Sequence, residues 1–276
     1  MKLTKPFGLL AGALALTLSL SACTSTTTPS GDTGGAVAIG IKFDQPGLGL
    51  KEGDTYTGFD VEVAKYVANE LGYTSIDFKE TPSAQRETML QSDQVKMIFA
   101  TYSITDDRKK KVSFAGPYFV AGQDLLVAAN NTDITGPDSL NGKKLCSVVG
   151  STSASKVKEK FAGQVQLKEY DTYSKCVEAL ASGAIDAVTT DNVILAGFAA
   201  QPQYAGKFKV VGKPFSEERY GVGIKKGDTA LCTKINAALQ KMVSDGAWQK
   251  ALDDTVGKSG FKPDAAVNPP TPDACS

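Results

Sequence analysis

Leu90-Gln-Ser-Asp-Gln-Val-Lys-Met-Ile-Phe-Ala-Thr101 and Leu180-Ala-Ser-Gly-Ala-Ile-Asp-Ala-Val-Thr-Thr-Asp191 can be laid one on the other. Each runs through a helix end, a polar turn and a short apolar strand. Each then places a polar residue at the strand's carboxyl end. Any helix–turn–strand unit shares this outline, so the pair alone does not separate a repeat from coincidence. As a repeat, it predicts an α/β protein of two lobes built on similar units, with Thr101 and Asp191 in corresponding positions. Ligands of open α/β sheets bind outside the carboxyl ends of strands, and small-molecule sites favour the cleft between domains. Thr101 and Asp191 are therefore expected to face one cleft from opposite sides.

The surrounding pattern has the same alternation of short apolar runs and amphipathic stretches. Strands are expected at 36–41, 76–78 and 95–100, with helices at 60–71 and 85–91. Val63, Ala64, Val67, Ala68 and Leu71 fall at helical spacing before the stop at Gly72. Thr105 should cap a short helix holding Asp106, Asp107 and Arg108. A long apolar stretch covers 118–129. The alternation then restarts, with strands at 145–149, 165–169, 184–189 and 208–211 and helices at 155–161, 172–181 and 193–200. An extended return at 219–225 precedes a helix over 229–244.

Residues 1–22 carry Lys2 and Lys5 and an apolar run from Phe7 to Leu20. A spanning helix needs roughly 20 apolar residues, so this run suits a signal peptide. It ends Leu20-Ser21-Ala22-Cys23, similar to the lipobox at which bacterial lipoproteins are cleaved and lipidated. A plain signal peptide followed by an incidental cysteine is the alternative. Residues 23–35 then form a lipidated Cys23 and a flexible tether rich in Thr, Ser and Gly. Five cysteines suit an exported chain. With Cys23 lipidated, Cys146, Cys176, Cys232 and Cys275 allow three pairings, of which Cys146–Cys176 and Cys232–Cys275 are favoured. The first would tie neighbouring elements of one lobe, and the second would pin the Pro-rich tail at 264–276.

The 276 residues hold 30 Lys+Arg against 30 Asp+Glu and 0 His. No basic surplus exists to neutralise phosphates, so no nucleic acid is expected as partner. Without histidine, Ser-His-Asp and Cys-His catalysis are out of reach, and a metal site loses its commonest ligand. Gly47-Leu-Gly49-Leu-Lys-Glu52 breaks the dinucleotide fingerprint at Glu52. Ser153-Ala-Ser-Lys156 satisfies the Ser-x-x-Lys of penicillin-recognising enzymes, but its companion motifs are absent in the required order. Those residues are expected to open a surface helix instead. No enzyme, no metal and no cofactor is the resulting expectation.

Polar residues at strand and loop ends do suit a zwitterion. In Thr101-Tyr-Ser103-Ile-Thr105-Asp-Asp-Arg108, hydroxyls at 101 and 103 would point to one side of an extended segment. Arg108, one turn on, could pair with a carboxylate by two charge-assisted hydrogen bonds. The alternative is a surface arginine beside Asp106 and Asp107.

Five stretches together identify a family: Ile41-Lys-Phe-Asp-Gln-Pro-Gly-Leu-Gly-Leu50, Gly58-Phe-Asp-Val-Glu-Val-Ala64, Ala100-Thr-Tyr-Ser-Ile-Thr105 with Arg108, Val112-Ser-Phe-Ala-Gly-Pro-Tyr118 and Tyr220-Gly-Val-Gly-Ile-Lys225. From about residue 37 to 261 the chain resembles the polar-amino-acid-binding subunits of ABC importers, solute-binding protein family 3. Among these it is most similar to the actinobacterial glutamate-binding lipoproteins. The resemblance implies a type II periplasmic-binding-protein fold: two α/β lobes joined by two crossing hinge segments, closing over a ligand. Lobe one would comprise 36–126 and 223–263, and lobe two 127–222.

Carried over by position, the resemblance gives Thr101, Ser103 and Arg108 the ligand's α-carboxylate, with Thr152 adding a donor from lobe two. Asp191 would take the α-ammonium. Relatives selective for acidic amino acids have an arginine at the position of Lys42 and a Ser-x-x-Arg matching Ser83 and Arg86. Tyr173 stands where one such relative has histidine. Phe43 and Tyr102 would pack either on the ligand's aliphatic part or in the core. Three cations, Lys42, Arg86 and Arg108, against Asp191 favour glutamate or aspartate over glutamine, because a buried unpaired charge costs several kcal/mol. The expected protein is a monomeric lipoprotein, anchored outside the cytoplasmic membrane through Cys23, that delivers L-glutamate or a similar polar amino acid to ABC permease subunits. Glutamine is the alternative ligand, and a secreted dehydratase-like enzyme on the same fold is the alternative of another class.

Overall fold

The computed structural model describes residues 34–161 and 163–275. From the amino end come β1 (Ala36–Ile41), three short strands β2 (Asp44–Gln45), β3 (Gly49–Glu52) and β4 (Thr55–Thr57), then α1 (Phe59–Glu70) and β5 (Ser75–Glu80). Next are α2 (Arg86–Gln91), β6 (Met97–Phe99), α3 (Asp106–Lys109), β7 (Ser113–Ala121), β8 (Gln123–Ala128) and β9 (Lys144–Val148). The chain continues through α4 (Thr152–Lys160), β10 (Gln166–Tyr170), α5 (Tyr173–Ala181), β11 (Ala187–Asp191), α6 (Asn192–Ala199) and β12 (Phe208–Val210). It ends with β13 (Glu218–Ile224), α7 (Thr229–Ser244) and α8 (Ala247–Asp254). The expected leader, Cys23 and the tether through residue 33 lie outside the described residues.

Two five-stranded sheets share one plan. Their orders are β5-β1-β6-β13-β7 and β10-β9-β11-β8-β12. In each, three strands run parallel and the remaining two add antiparallel. β6 and β11 hold the same central place, so the two segments that opened the sequence reading are equivalent units, α2–β6 and α5–β11. The sheets define two lobes.

The lobes are joined where the chain changes sheet. The apolar stretch at 118–129 is not one element: it breaks at Gly122, with β7 in the first sheet and β8 in the second. The return passage lies between β12 and β13. Both changes fall earlier in the chain than the boundaries at 126 and 222, because strand pairing, rather than hydrophobicity, fixes where a lobe ends. The two passages run side by side. Gln123 N donates to Ser216 Oγ at 3.1 Å, and Phe215 N to Gln123 O at 2.9 Å. A Cβ on Gly122 would stand 2.8 Å from both Pro214 Cβ and Ser216 O, so glycine is what lets the passages touch.

Local chemistry explains the elements that position the site. α1 buries Phe59, Val61, Val63, Ala64, Val67 and Ala68, a stripe of helical period, and places Asp60 and Glu62 in its first turn. Thr105 Oγ1 accepts from Arg108 N and starts α3 as expected. Two features escaped the sequence reading, the small sheet and α8, while the tail is pinned as expected. The three-stranded sheet β2-β3-β4 has strands of two to four residues, too short for a period to register. α8 follows Gly246, which is left-handed at φ 79° and bends the chain back, so that Trp248 Nε1 donates to Tyr118 O at 2.8 Å. The tail beyond 263 packs on lobe one, where Asp273 N donates to Gly116 O at 2.7 Å and Asn268 exchanges hydrogen bonds with the Val120 backbone.

The disulfides are Cys146–Cys176, joining β9 to α5, and Cys232–Cys275, fixing the tail to α7. With sequence separations of 30 and 43 residues, loop closure gives each about 4 kcal/mol. Buried side chains from both lobes, among them Ile39, Phe59, Tyr118 and Tyr220 with Val148, Val188 and Leu195, form one continuous apolar cluster. The lobes are thus closed on each other.

Candidate functional site

Lobe one brings three cations to the seam. Lys42 follows β1, and its Nζ donates to Ser83 Oγ at 2.8 Å. Ser83 begins a turn that leads into α2, whose first residue is Arg86. The Arg86 guanidinium donates to Ser83 O at 3.3 Å, Ala100 O at 3.1 Å and, across the seam, Gly150 O at 3.4 Å. Arg108, from α3, donates to Ser103 O at 2.8 Å and to the same Gly150 O at 3.0 Å. Both guanidinium carbons lie over the Tyr102 ring, at 4.2 and 4.9 Å from its centroid. Tyr102 is held by its hydroxyl, which donates to Glu87 Oε1 at 2.9 Å, and that oxygen stands 3.6 Å from Arg108 Nε.

These cations are buried at 4%, 2% and 8% exposure for Lys42, Arg86 and Arg108. Burial, then the neighbouring Arg86 charge, pull the Lys42 ammonium down to about 7. Burial and Arg108 bring Arg86 down to about 10. For Lys42, burial is the larger cause; Arg86 and Arg108 lower the lysine further, while Asp44 and Glu80 oppose them.

Lobe two supplies helix starts and one carboxylate. Ser151 caps α4, its Oγ accepting from Ala154 N at 2.9 Å. Thr152 follows, and its Oγ1 lies 3.5 Å from Ser103 Oγ of lobe one. Tyr173, first in α5, is buried, and burial together with the nearby Asp191 carboxylate raises its hydroxyl above the usual phenol range. Asp191 ends β11. Its Oδ2 accepts from Tyr220 at 2.6 Å, while its Oδ1 is buried with no hydrogen-bond partner among the described residues. Burial and the Glu218 carboxylate push Asp191 up to about 7.

The structure therefore brings Lys42, Ser83, Arg86, Ser103, Arg108 and Thr152 into one hydrogen-bonded cluster at the seam, with Tyr173 and Asp191 on the lobe-two wall. Thr101 sits differently from the expectation. It is left-handed at φ 46°, so the strand alternation does not carry through 101–103. Its amide is held by Asp60 Oδ2 at 2.9 Å. Its hydroxyl, with a single proton to give, lies 2.8 Å from Ala100 O and 3.2 Å from Gln45 Oε1. Phe43 packs on Tyr56, ring centroids 5.3 Å apart, and beneath Lys51, while Tyr102 is fully buried under the two guanidinium groups.

Sequence reasoning missed Gln45, Asp60, Tyr118 and Tyr220. Gln45 is fully buried and its Nε2 has no hydrogen-bond partner among the described residues. Asp60 accepts from Tyr118 at 2.7 Å as well as from Thr101. The available signal for Asp60 was a carboxylate on the otherwise buried face of α1.

Several contacts cross the seam. Asp44 Oδ2 accepts from Ser174 N at 3.2 Å and Ser174 Oγ at 2.9 Å. A Cβ on Gly150 would lie 2.7 Å from Ala84 Cα, and one on Gly197 2.2 Å from Pro46 O.

Residues 37–258 match the model of the bacterial extracellular solute-binding proteins, family 3. The chain is 48% identical over 237 residues to the glutamate-binding protein GluB of Corynebacterium efficiens, covering 81% of this chain and 80% of that one. It is 46% identical over 269 residues to GluB of Corynebacterium glutamicum, covering 91% and 90%. Among solved structures, an ancestral arginine-binding protein bound to glutamine superimposes with TM-score 0.75 at 36% identity, covering 80% of this chain and 98% of that one.

Proposed function

The chain belongs to the bacterial extracellular solute-binding proteins of family 3, and on that premise we propose that it binds L-glutamate between its lobes and hands it to an ABC permease. The observation that carries this reading is the Lys42–Arg86 pair. Two buried cations share a seam in which the lysine's partner is the neutral Ser83 hydroxyl. A side-chain carboxylate placed between them would supply the missing charge, and a neutral amide would not. The relatives named for glutamate support the same choice.

In this reading Arg108, Ser103 and Thr152 hold the α-carboxylate, and the unpartnered Asp191 Oδ1 takes the α-ammonium. Lys42, Ser83 and Arg86 hold the side-chain carboxylate. Lobe one receives the amino acid, lobe two closes on it, and the Gly150 carbonyl now bonded by Arg86 and Arg108 gives way to ligand oxygens. No bond is made or broken. The protein is not an enzyme in this reading, and turnover assays on amino-acid precursors would test that.

The lipid anchor rests on Leu20-Ser21-Ala22-Cys23 alone. With it, the protein is a monomer tethered to the outer face of the cytoplasmic membrane. Cys23→Ala should release it into the medium.

The test of ligand identity is thermal unfolding of ligand-stripped protein against an amino-acid panel. A ligand at about a thousand times its dissociation constant stabilises by roughly 4 kcal/mol, and each kcal/mol moves the midpoint by about 2–4 °C. The expected order is glutamate, then aspartate, with no shift from arginine. A shift mainly with glutamine would overturn the roles given to Lys42 and Arg86.

A further inference from the structure

Lys156 closes the Ser-x-x-Lys stretch and was expected to lie on a helix surface. Its ammonium instead reaches out of lobe two to the crossing strand, where Nζ donates to Glu218 Oε1 at 2.5 Å. Glu218, the first residue of β13, is 1% exposed. Ser216 Oγ also donates to its Oε1, at 2.9 Å. Two residues on, Tyr220 donates to Asp191. The lobe-two carboxylate at the seam thus has a second buried carboxylate on the crossing strand beside it.

We propose that Lys156 is a positioning residue for Asp191: by pairing with Glu218 on closure it offsets that carboxylate's repulsion, and so favours an ionised Asp191 directed at the ligand's ammonium. This rests on the role given to Asp191 above. Two carboxylates sharing a buried site repel, and one of them takes up a proton unless a cation intervenes. The groups facing Asp191 are Tyr220 and Glu218 from β13, Tyr173 from α5, Lys156 from α4 and Arg108 from α3. Among them Glu218 favours the protonated acid, while Tyr220, Lys156 and Arg108 favour the carboxylate. Lys156 alone also makes a direct bond to Glu218. It neutralises the repelling charge and latches α4 to the crossing strand. A protonated Asp191 would present a hydroxyl and no charge, and would hold an ammonium poorly.

The test is L-glutamate affinity by titration calorimetry from pH 6 to 8, each variant expressed as a ratio to the parent at the same pH. Lys156→Met should bind within a few-fold of the parent at pH 8 and more than tenfold weaker at pH 6. Adding Glu218→Gln should restore a flat ratio, because the repelling carboxylate is gone. Lys156→Arg should follow the parent throughout. A latch acting only through packing would give the same ratio at every pH and would not be rescued by Glu218→Gln; either result overturns the proposal. Asp191→Asn separates the two layers. If it loses affinity while Lys156→Met keeps a flat ratio, the positioning pair alone fails. If Asp191→Asn binds as the parent does, the role of Asp191 fails and the pair with it.

Discussion

Tyr118 and Tyr220 stand with ring centroids 6.2 Å apart, and each hydroxyl is given to a buried carboxylate, Tyr118 to Asp60 and Tyr220 to Asp191. Asp60 also fixes the amide of Thr101. The polar residues that end the two repeated strands, Thr101 and Asp191, are therefore tied to one aromatic pair on the neighbouring strands β7 and β13. What looks from sequence like two separate binding walls is mechanically joined beneath the seam.

Asp60 should make stability depend on pH in the direction opposite to a salt-bridged carboxylate. Burial raises it from 3.8 to about 6 against the pull of its two hydrogen bonds. Below about pH 4 both the folded and unfolded chains hold the proton, and burial of Asp60 carries no charge penalty. Between about 4 and 6 the unfolded chain alone ionises, so stability falls as pH rises, by about 3 kcal/mol in all. Asp60→Asn removes that slope, although its amide faces Thr101 N–H with a poorer partner. Urea unfolding at pH 4 and 6.5 should show the parent losing stability relative to the variant. Parallel curves would show that Asp60 is ionised as readily in the fold as outside it.

The fold was legible because its signals are periodic. The α1 stripe, the two strand-end repeats and the capped α3 each obey a spacing that survives in one dimension. The cation set was legible through the family resemblance, Lys42 and Arg108 in the quoted stretches and Arg86 in the Ser-x-x-Arg match, which name positions without giving distances. Gln45, Asp60 and Tyr220 were not legible, since each acquires meaning from a partner 29 to 56 residues away. The break at Gly122 was hidden for a related reason. Hydrophobicity runs straight through it, and only the close approach of Pro214 and Ser216 shows why the chain turns there.

Lys42 should make glutamate affinity fall with rising pH. Burial and the Arg86 charge lower its ammonium to about 7. An anion bound beside it raises that value, so binding takes up a proton above pH 7 and weakens as protons become scarce. Between pH 7 and 8.5 we expect roughly a tenfold loss for glutamate, with little change for glutamine. Lys42→Arg, whose guanidinium stays charged, should flatten the glutamate profile. A profile already flat in the parent would place the side-chain carboxylate away from Lys42.

Arg86 and Arg108 share the Gly150 carbonyl and the Tyr102 ring, yet their losses should differ. Arg108→Ala removes the fork proposed for the α-carboxylate, which every amino acid carries, and should abolish binding of glutamate and glutamine alike. Arg86→Ala removes a side-chain contact. Truncating one member of a buried charged pair costs about 2–5 kcal/mol, so glutamate should weaken at least thirtyfold and glutamine far less. Calorimetry with both ligands measures this, and far-ultraviolet dichroism checks that each variant is folded. Equal losses for the two ligands in Arg86→Ala would refute the assignment of the side-chain pocket.

Gly197 offers a way to separate closure from folding. It lies inside α6 of lobe two, and a Cβ there would stand 2.2 Å from Pro46 O of lobe one, nearer than any real contact allows. Gly150 also meets lobe one closely, but its φ of 76° means that alanine would strain the backbone wherever the lobes stand. Gly197 has ordinary helical geometry, in which alanine is favoured over glycine by about 1 kcal/mol. Gly197→Ala should therefore hold or raise the unfolding midpoint of ligand-free protein by about 2–4 °C, while glutamate affinity drops at least tenfold. Small-angle scattering should show a more open average shape when glutamate is added than the parent adopts. An unchanged affinity would mean that α6 and the β2–β3 turn need not meet when the ligand is bound, and that closure is set by the Gly150 side of the seam.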